Sequence, residues 1–408
     1  KLIILVLDSM KALIKVDEAK TIISKHLRKF SSSYFPIEKC ARRTLRQDII
    51  ADRPLPPFNR SMMDGYALRF SDINKVDSFN VSALSAAGTK KLNLNNRIGS
   101  CIEIMTGAVV PNGADIVVPY EETEYLDNGE IRILPDNKRD VGSAIHPIGS
   151  DHNNNETLVS AGSVIGSREI AIAATCGYSK LKISNNPSIA VVTTGDELVS
   201  VSKTPKSYQN RRSNDLSMVA ALNSWGYPVK ECAHLNDERV SLKASLVRLI
   251  ESNDVLLVSG GISKGKKDFI PGVLDEIGLV CKFHGVAQKP GKPLGFWCND
   301  CCSVFALPGN PQSTLTCLHQ YVLPALRAAS GNNINKKTCV DLLDTATGIE
   351  NMTTFLPVSV TAENKATQCP CQNSGDLVKI LSSDGYIELP PKAVYYPAGS
   401  SFIFYPWS

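Results

Sequence analysis

The chain has 408 residues, 43% of them apolar, enough for about two to four domains with substantial cores. A formal net charge of +4 is mild for that length and gives no support for a nucleic-acid binder, whose basic residues would dominate a face. No run approaches the roughly eighteen apolar residues of a membrane span, and residues 2–7 are too short and too soon interrupted by Asp8 for a signal peptide.

In chain order, residues 17–27 form the first helix, with Asp17 as its cap and Ala19, Ile22, Ile23 and Leu27 at helical spacing. A second helix is expected over 38–51, ended by Pro54-Leu55-Pro56-Pro57. Its Arg42, Arg43 and Arg46, with Arg53 beyond, make a solvated face or a subunit contact. Residues 57–67 are a loop of restricted shape holding Asp64, a favoured kind of place for chemistry. Short β runs follow at 79–84, 100–105, 116–119 and 131–134, with Met105-Thr106-Gly107-Ala108 as a second glycine-bearing loop. Gly149-Ser150-Asp151 closes this part, and 167–176 reads as a helix ended by Gly177.

From about residue 186 strands and helices alternate, the mark of a parallel α/β sheet. Strands at 189–193, 255–258 and 303–307 lead into polar loops at 194–197, 259–268 and 308–313. Helices are expected over 213–225, 237–251, 269–277 and 312–329. In open α/β sheets the ligand lies at the C-terminal ends of the strands, which is where these three loops fall. After Gly331, short runs at 354–361, 377–381, 387–390 and 401–405 read as strands of a small β domain.

The loop at 259–268, Ser259-Gly260-Gly261-Ile262-Ser263-Lys264-Gly265-Lys266-Lys267-Asp268, combines glycine amides, three lysines and a carboxylate. Glycines let amides crowd around an anion, and lysines neutralise it. Asp268 either caps the next helix or holds a metal. A P-loop is the first comparison, but Lys267 stands where Walker A needs Ser or Thr, which argues against an ATPase.

Collected from the loops, the acids are Asp64, Asp151, Glu197, Asp237 and Asp268, and the bases Lys264, Lys289 and Lys292. Glu197, Asp237 and Asp268 suit Mg²⁺, a hard cation that takes oxygen ligands. Lysines with glycine amides such as those of Gly260 and Gly261 suit phosphoryl oxygens. Together they fit breaking or remaking a phosphoanhydride. Six histidines lie outside these loops, which argues against histidine general-base chemistry. Of twelve cysteines, Cys298-x-x-Cys301-Cys302 and Cys369-x-Cys371 make zinc only if they meet in space; reduced thiols in a cytosolic protein are expected.

Five motifs in order resemble the molybdopterin molybdotransferases, the bacterial MoeA type and the E domains of gephyrin-like and plant proteins. They are 58-FNRSMMDGYA-67, 194-TGDEL-198, 259-SGG-261, 289-KPGKP-293 and 307-LPGNPQS-313. The resemblance runs from about residue 17 to 408. It implies four parts: a linker and dimerisation region (1–55 and 151–185), a β-rich domain (56–150), a molybdopterin-binding α/β domain (186–331) and a C-terminal β-barrel (332–408). It also implies an elongated homodimer in the cytoplasm. The reaction it implies takes adenylylated molybdopterin and molybdate and cleaves the phosphoanhydride with Mg²⁺. The family's functional positions fall on Asp64, Thr106, Asp151, Glu197, Asp237, Asp268, Lys289, Lys292, Pro308 and Pro311. Three departures stand out: Arg212 where the family usually has Asp, Gly285 where Lys is common, and Asn59 for a frequent Asp.

A gephyrin-like scaffold for a receptor peptide is the second reading. Tyr395, Tyr396, Phe402, Phe404 and Trp407 are its groove candidates or, as alternating strand residues, core. The opening Lys, in place of Met, leads to the expectation of a longer polypeptide, with a molybdopterin adenylyltransferase domain fused N-terminally or associated.

Overall fold

The computed structural model describes residues 13–135, 138–263, 265, 268–332, 337–369, 373 and 375–407. The chain divides into two compact units, Lys1–Gln47 with Ala161–Ile170 and Lys180–Ser408, and Asp48–Ser160 with Ala171–Ser179.

The second unit is β-rich. Its main sheet has six strands, with Gly65–Leu68 between Ile116–Pro119 and Ser100–Ile104. Tyr66, Leu68, Phe79, Cys101, Ile116, Val118 and Ile131 pack one core, and Ala67, Ile104, Ala108, Val110 and Val117 another. Alternate residues of one strand therefore serve different cores, as the two-residue period of a strand requires. Gly65 is obligatory, because a Cβ there would lie 2.1 Å from the Val118 carbonyl oxygen.

The other unit is built on a six-stranded sheet: β1 Ile189–Thr194, β2 Val229–Leu235, β3 Val255–Ser259, β4 Val280–His284, β5 Gly295–Cys298 and β6 Ser303–Leu307. The order is β2-β1-β3-β6-β5-β4, parallel over the first four strands and antiparallel at the β5 and β4 edge. The helices are α1 Asn214–Ser224, α2 Arg239–Ser252, α3 Ile270–Glu276, α4 Pro311–Cys317 and α5 Leu323–Ala329. Every residue of β1, β3 and β6 is buried, which is why they read as apolar runs. Ile189, Val191, Val255, Leu257 and Phe305 face one core with Met218 and Leu222 of α1. Ala190, Val192, Leu256, Val258 and Val304 face the other with Leu242, Leu246 and Leu249 of α2. From β1 the chain steps to β2 on one side and then to β3 on the other, which creates a topological switch point between β1 and β3.

Between α4 and α5 lies a π-helical turn, Leu318–Val322, whose five residues are all buried. Beyond α5 the strands Thr353–Val360, Lys365–Gln368, Thr338–Leu342, Ser401–Pro406 and Gly385–Leu389 pair in that order. Gly385–Leu389 pairs back to Thr353–Val360, which closes a five-stranded barrel.

Four expectations are corrected. The helix over 38–51 is a 3₁₀ turn at Ile37–Lys39 followed by irregular chain and a strand at Ile49–Ile50. The backbone there pairs with distant segments instead of itself: the Arg42 and Leu45 amides donate to Ile165 and Ser163 carbonyls, and Arg46 to Lys182. Arg43 is no solvated residue, since its Nη2 donates to the Ser184 carbonyl at 2.6 Å and its guanidinium stacks on Phe35. The strand at 377–381 is a short helix, Leu377–Ile380, because Asp376 caps it by accepting from the Lys379 amide. Asp17 lies in the first turn of helix Val16–His26, where an acid suits the helix dipole, while the N-cap is Lys15.

Candidate functional site

A cavity of about 1400 Å³ opens at the C-terminal ends of β1, β3 and β6. That exceeds the range of roughly 300–1,000 Å³ usual for sites of drug-sized ligands. Glu197, Asp237, Asp268, Ser259, Gly260, Gly261, Lys289, Lys292, Pro308, Asn310, Pro311 and Ser313 all line it. Its far wall comes from the barrel, with Gly348, Met352, Thr354 and Phe355. Lys264, Lys266, Lys267 and Cys371 lie outside the described residues.

The loops are held by a buried polar network. The Asn214 side chain, first residue of α1, donates to Ser259 Oγ at 2.9 Å, to the Gly309 carbonyl at 2.8 Å and to Thr314 Oγ1 at 3.2 Å. Ser259 Oγ and Thr314 Oγ1 in turn donate to the Pro308 carbonyl, at 3.0 and 2.6 Å. One amide thus ties the ends of β3 and β6 to two helix starts. Pro311 opens α4 at a position where its missing N–H costs nothing. Gly260 and Gly261 have φ of +100° and +66°, and a Cβ on Gly260 would meet Thr194 at 2.7 Å. Only glycine fits this crossing of β1 and β3.

Asp268 does not cap α3, whose N-cap is Phe269; its Oδ2 accepts from the Gly265 amide at 2.6 Å and closes the loop instead. The Glu197 carboxylate folds over Gly195, where a Cβ would lie 2.6 Å from both of its oxygens. Lys289 and Lys292 are exposed on the cavity wall, and the loop between them is anchored from below. Buried Gln288 accepts from Tyr321 Oη and donates to the Pro290 carbonyl at 3.0 Å.

Two histidines lie against these strand ends and loops. His284 Nε2 lies 2.7 Å from the Ile262 carbonyl and must donate to it, which braces the 259–268 loop. His234 lies 3.2 Å from Thr193 Oγ1, and burial followed by the Arg212 charge holds its pKa below the usual value.

Asp64, Thr106 and Asp151 belong to the β-rich unit. Asp64 Oδ1 accepts from Thr106 Oγ1 at 2.7 Å and from the Thr106 amide at 2.6 Å, and both bonds hold its pKa below the usual carboxylate value. Asp151 Oδ1 lies 2.9 Å from His146 Nε2, and His146 Nδ1 is 3.1 Å from Arg60 Nη2. A guanidinium only donates, so Nδ1 accepts and Nε2–H points at Asp151. Residue spacing hid this chain: His146 sits across strand pair Ile145–His146 and Arg60–Ser61 from the 58–67 motif.

For Mg²⁺ the donor chemistry fits, because three carboxylates line one cavity and hard cations take oxygen. Among the described residues no group of three or more His, Cys, Asp or Glu converges as a ready-made cage. That arrangement suits a cation held by one or two carboxylates together with substrate phosphates. No described zinc cluster arises from the cysteines either.

The fold and the cavity define an α/β domain of the switch-point class, coupled to a closed β-barrel and carrying a large cavity lined by glycine turns, carboxylates and lysines. Residues 14–177 match the MoeA N-terminal region (domain I and II), 190–328 the probable molybdopterin binding domain, and 341–407 the MoeA C-terminal region (domain IV). A molybdopterin molybdenumtransferase of Synechocystis is 35% identical over 97% of this chain and 100% of its own length. Gephyrin of Dictyostelium discoideum is 32% identical over 78% of this chain and 50% of its own. The crystal structure of a molybdopterin biosynthesis MoeA protein from Pyrococcus horikosii superposes with a TM-score of 0.77 at 27% identity, covering 97% of this chain and 100% of that one. The chain belongs to the MoeA family of molybdopterin molybdenumtransferases.

Proposed function

We propose that this chain is a molybdopterin molybdenumtransferase acting in molybdenum cofactor biosynthesis, with adenylylated molybdopterin and molybdate as its substrates. The observation that carries the reading is the convergence of carboxylates, lysines and glycine turns on one cavity at the β1 and β3 switch point. An oxygen nucleophile, water or a molybdate oxygen, attacks phosphorus, the P–O–P bridge breaks, and AMP leaves with the bridging oxygen or the phosphate left on the pterin keeps it. Water, when it is the nucleophile, gives its proton to solvent. The two dithiolene thiols then bind molybdenum, and one molybdate oxygen leaves as water with their two protons.

Lys289 and Lys292 neutralise phosphoryl oxygens, and the Gly260 and Gly261 turn brings backbone close to them. Glu197, Asp237 and Asp268 are the residues that would hold Mg²⁺, which would supply charge neutralisation at the phosphates. Asp64, Thr106 and Asp151 are assigned to the same reaction. A homodimer, a cytoplasmic setting and an N-terminal or separate adenylyltransferase partner complete the proposal. Of the aromatic residues offered for a peptide groove, Tyr396, Phe402, Phe404 and Trp407 pack against hydrophobic cores, and only Tyr395 is widely exposed, at 70%. The enzyme reading is therefore preferred to the scaffold. Single-turnover release of AMP from adenylylated molybdopterin, with molybdate and Mg²⁺, tests it; no release above the uncatalysed rate rejects it. Light scattering of the purified chain tests the dimer.

A further inference from the structure

One corner of the cavity holds hydrogen-bonding capacity that the fold leaves unspent. Arg212 lines the cavity just before α1, and its Nε is buried without a hydrogen-bond partner. Its nearest acid is the buried Asp215, with Oδ2 at 3.6 Å from Nε, beyond hydrogen-bond range. Asp215 Oδ1 instead accepts from the Leu216 amide at 3.0 Å. Ser213 is the N-cap of α1, yet its side chain makes no capping bond. Thr194, at the end of β1, is 4% exposed, and its Oγ1 is likewise buried without a partner. Arg212, Ser213 and Thr194 all line the cavity, and Asn214, next to Ser213, donates to Ser259 Oγ, the register partner of Thr193, next to Thr194.

Buried polar groups without partners are rare in folded proteins and call for a ligand that supplies one. Here the unspent groups are donors, grouped at the start of an eleven-residue helix whose dipole favours negative charge. We propose that Arg212, Ser213 and Thr194 form an oxyanion subsite of this cavity, with Arg212 supplying its charge. The ligand is a tetrahedral oxyanion, either a phosphoryl group or molybdate. Glu197 and Asp215 are the acids that share Arg212's surroundings, since all three act on His234. The long pairing with Asp215 leaves guanidinium donors for the ligand. The subsite rests on the cavity being the substrate site proposed above.

The test is calorimetric titration of inorganic pyrophosphate and of molybdate into the full chain, in EDTA so that no divalent cation stands in for Arg212. Arg212→Gln is expected to weaken binding at least about tenfold, the scale of a charge-assisted hydrogen bond, with Arg212→Lys recovering part of it. Loss with pyrophosphate alone assigns the subsite to phosphoryl, and loss with molybdate alone to the oxometalate. Arg248→Gln removes the same charge from a surface pair with Glu231 and is expected to stay within twofold of wild type. Should Arg212→Gln unfold, the double variant Arg212→Gln/Asp215→Asn removes both charges and carries the test. Unchanged affinity in either variant, equal loss in Arg248→Gln, or no binding by the wild type overturns the subsite. Anion binding that depends on Arg212 without AMP release from adenylylated molybdopterin rejects the enzyme reading alone.

Discussion

The acids at the strand ends and the acids of the β-rich unit are held in different ways. Around the cavity, Asn214, Ser259 and Thr314 form a network with residues 0–9% exposed, and the loop that carries Asp268 starts from it. Asp64 and Asp151 are exposed and are steered by one or two surface hydrogen bonds. In the first region site geometry and fold stability share the same atoms; in the second they are separable. A substitution in the first should therefore move two measurements, and in the second only one.

The largest expected effect would sharpen that contrast from the cavity side. Asp268→Ala should lower single-turnover AMP release by at least ~100-fold, in keeping with loss of a metal-positioning carboxylate. Unchanged turnover would remove Asp268 from the mechanism. Next comes His319, 7% exposed between the rings of Trp225 and Trp407, at centroid distances of 6.2 and 5.3 Å. Burial lowers its pKa from 6.5 to about 4, so the folded chain keeps it neutral while the unfolded chain takes up a proton. Its contribution is complete above pH 6.5 and is lost as pH falls towards about 4. Urea unfolding of His319→Phe should lose that part of the pH dependence, on the order of 3 kcal/mol.

Asn214→Ala leaves Ser259 Oγ and the Gly309 carbonyl short of a donor and should cost about 1–3 kcal/mol in urea unfolding. Turnover should fall with it. Asp64→Asn should slow turnover while leaving the urea midpoint where it was. If its midpoint drops as far as that of Asn214→Ala, the contrast between the regions is broken. The smallest effect is a titration: Thr106→Val removes the hydroxyl that contributes most to Asp64's lowered pKa. The carboxylate should then move back towards 3.8, read by NMR of the side-chain carbon.

What could be read from the sequence follows burial. The strands β1, β3 and β6 are buried on both faces, so their apolar runs and the glycine turns after them stood out, and with them the residues around the cavity. Residues 38–51 misled because Leu45 and Ile49 are buried by pairing with Ile183 and Val159, partners more than a hundred positions away. Asp268 was read as a cap or a ligand; the cap reading fails because the fold uses its Oδ2 on Gly265, a loop contact without periodicity. Asn214 lies two residues after Arg212, but its three acceptors come from residues 45 to 100 positions on. His146 gave one local signal, an acid five residues later, which is too common to weigh.

The turn at Leu318–Val322 has a further bearing on how this molecule can drift. A regular α-helix turns part of every 3.6-residue cycle outward, whereas here Leu318, His319, Gln320, Tyr321 and Val322 are all enclosed. Three of them have assigned tasks: His319 between two indoles, Gln320 with Tyr386 and Glu388, and Tyr321 on Gln288 beneath the lysine loop. The wide turn spends one residue to give inward positions in succession. Shortening the chain there by a single codon would remove that extra residue, restore a regular helix and turn one of these side chains outward. It would also detach Tyr321 from the segment that presents Lys289 and Lys292.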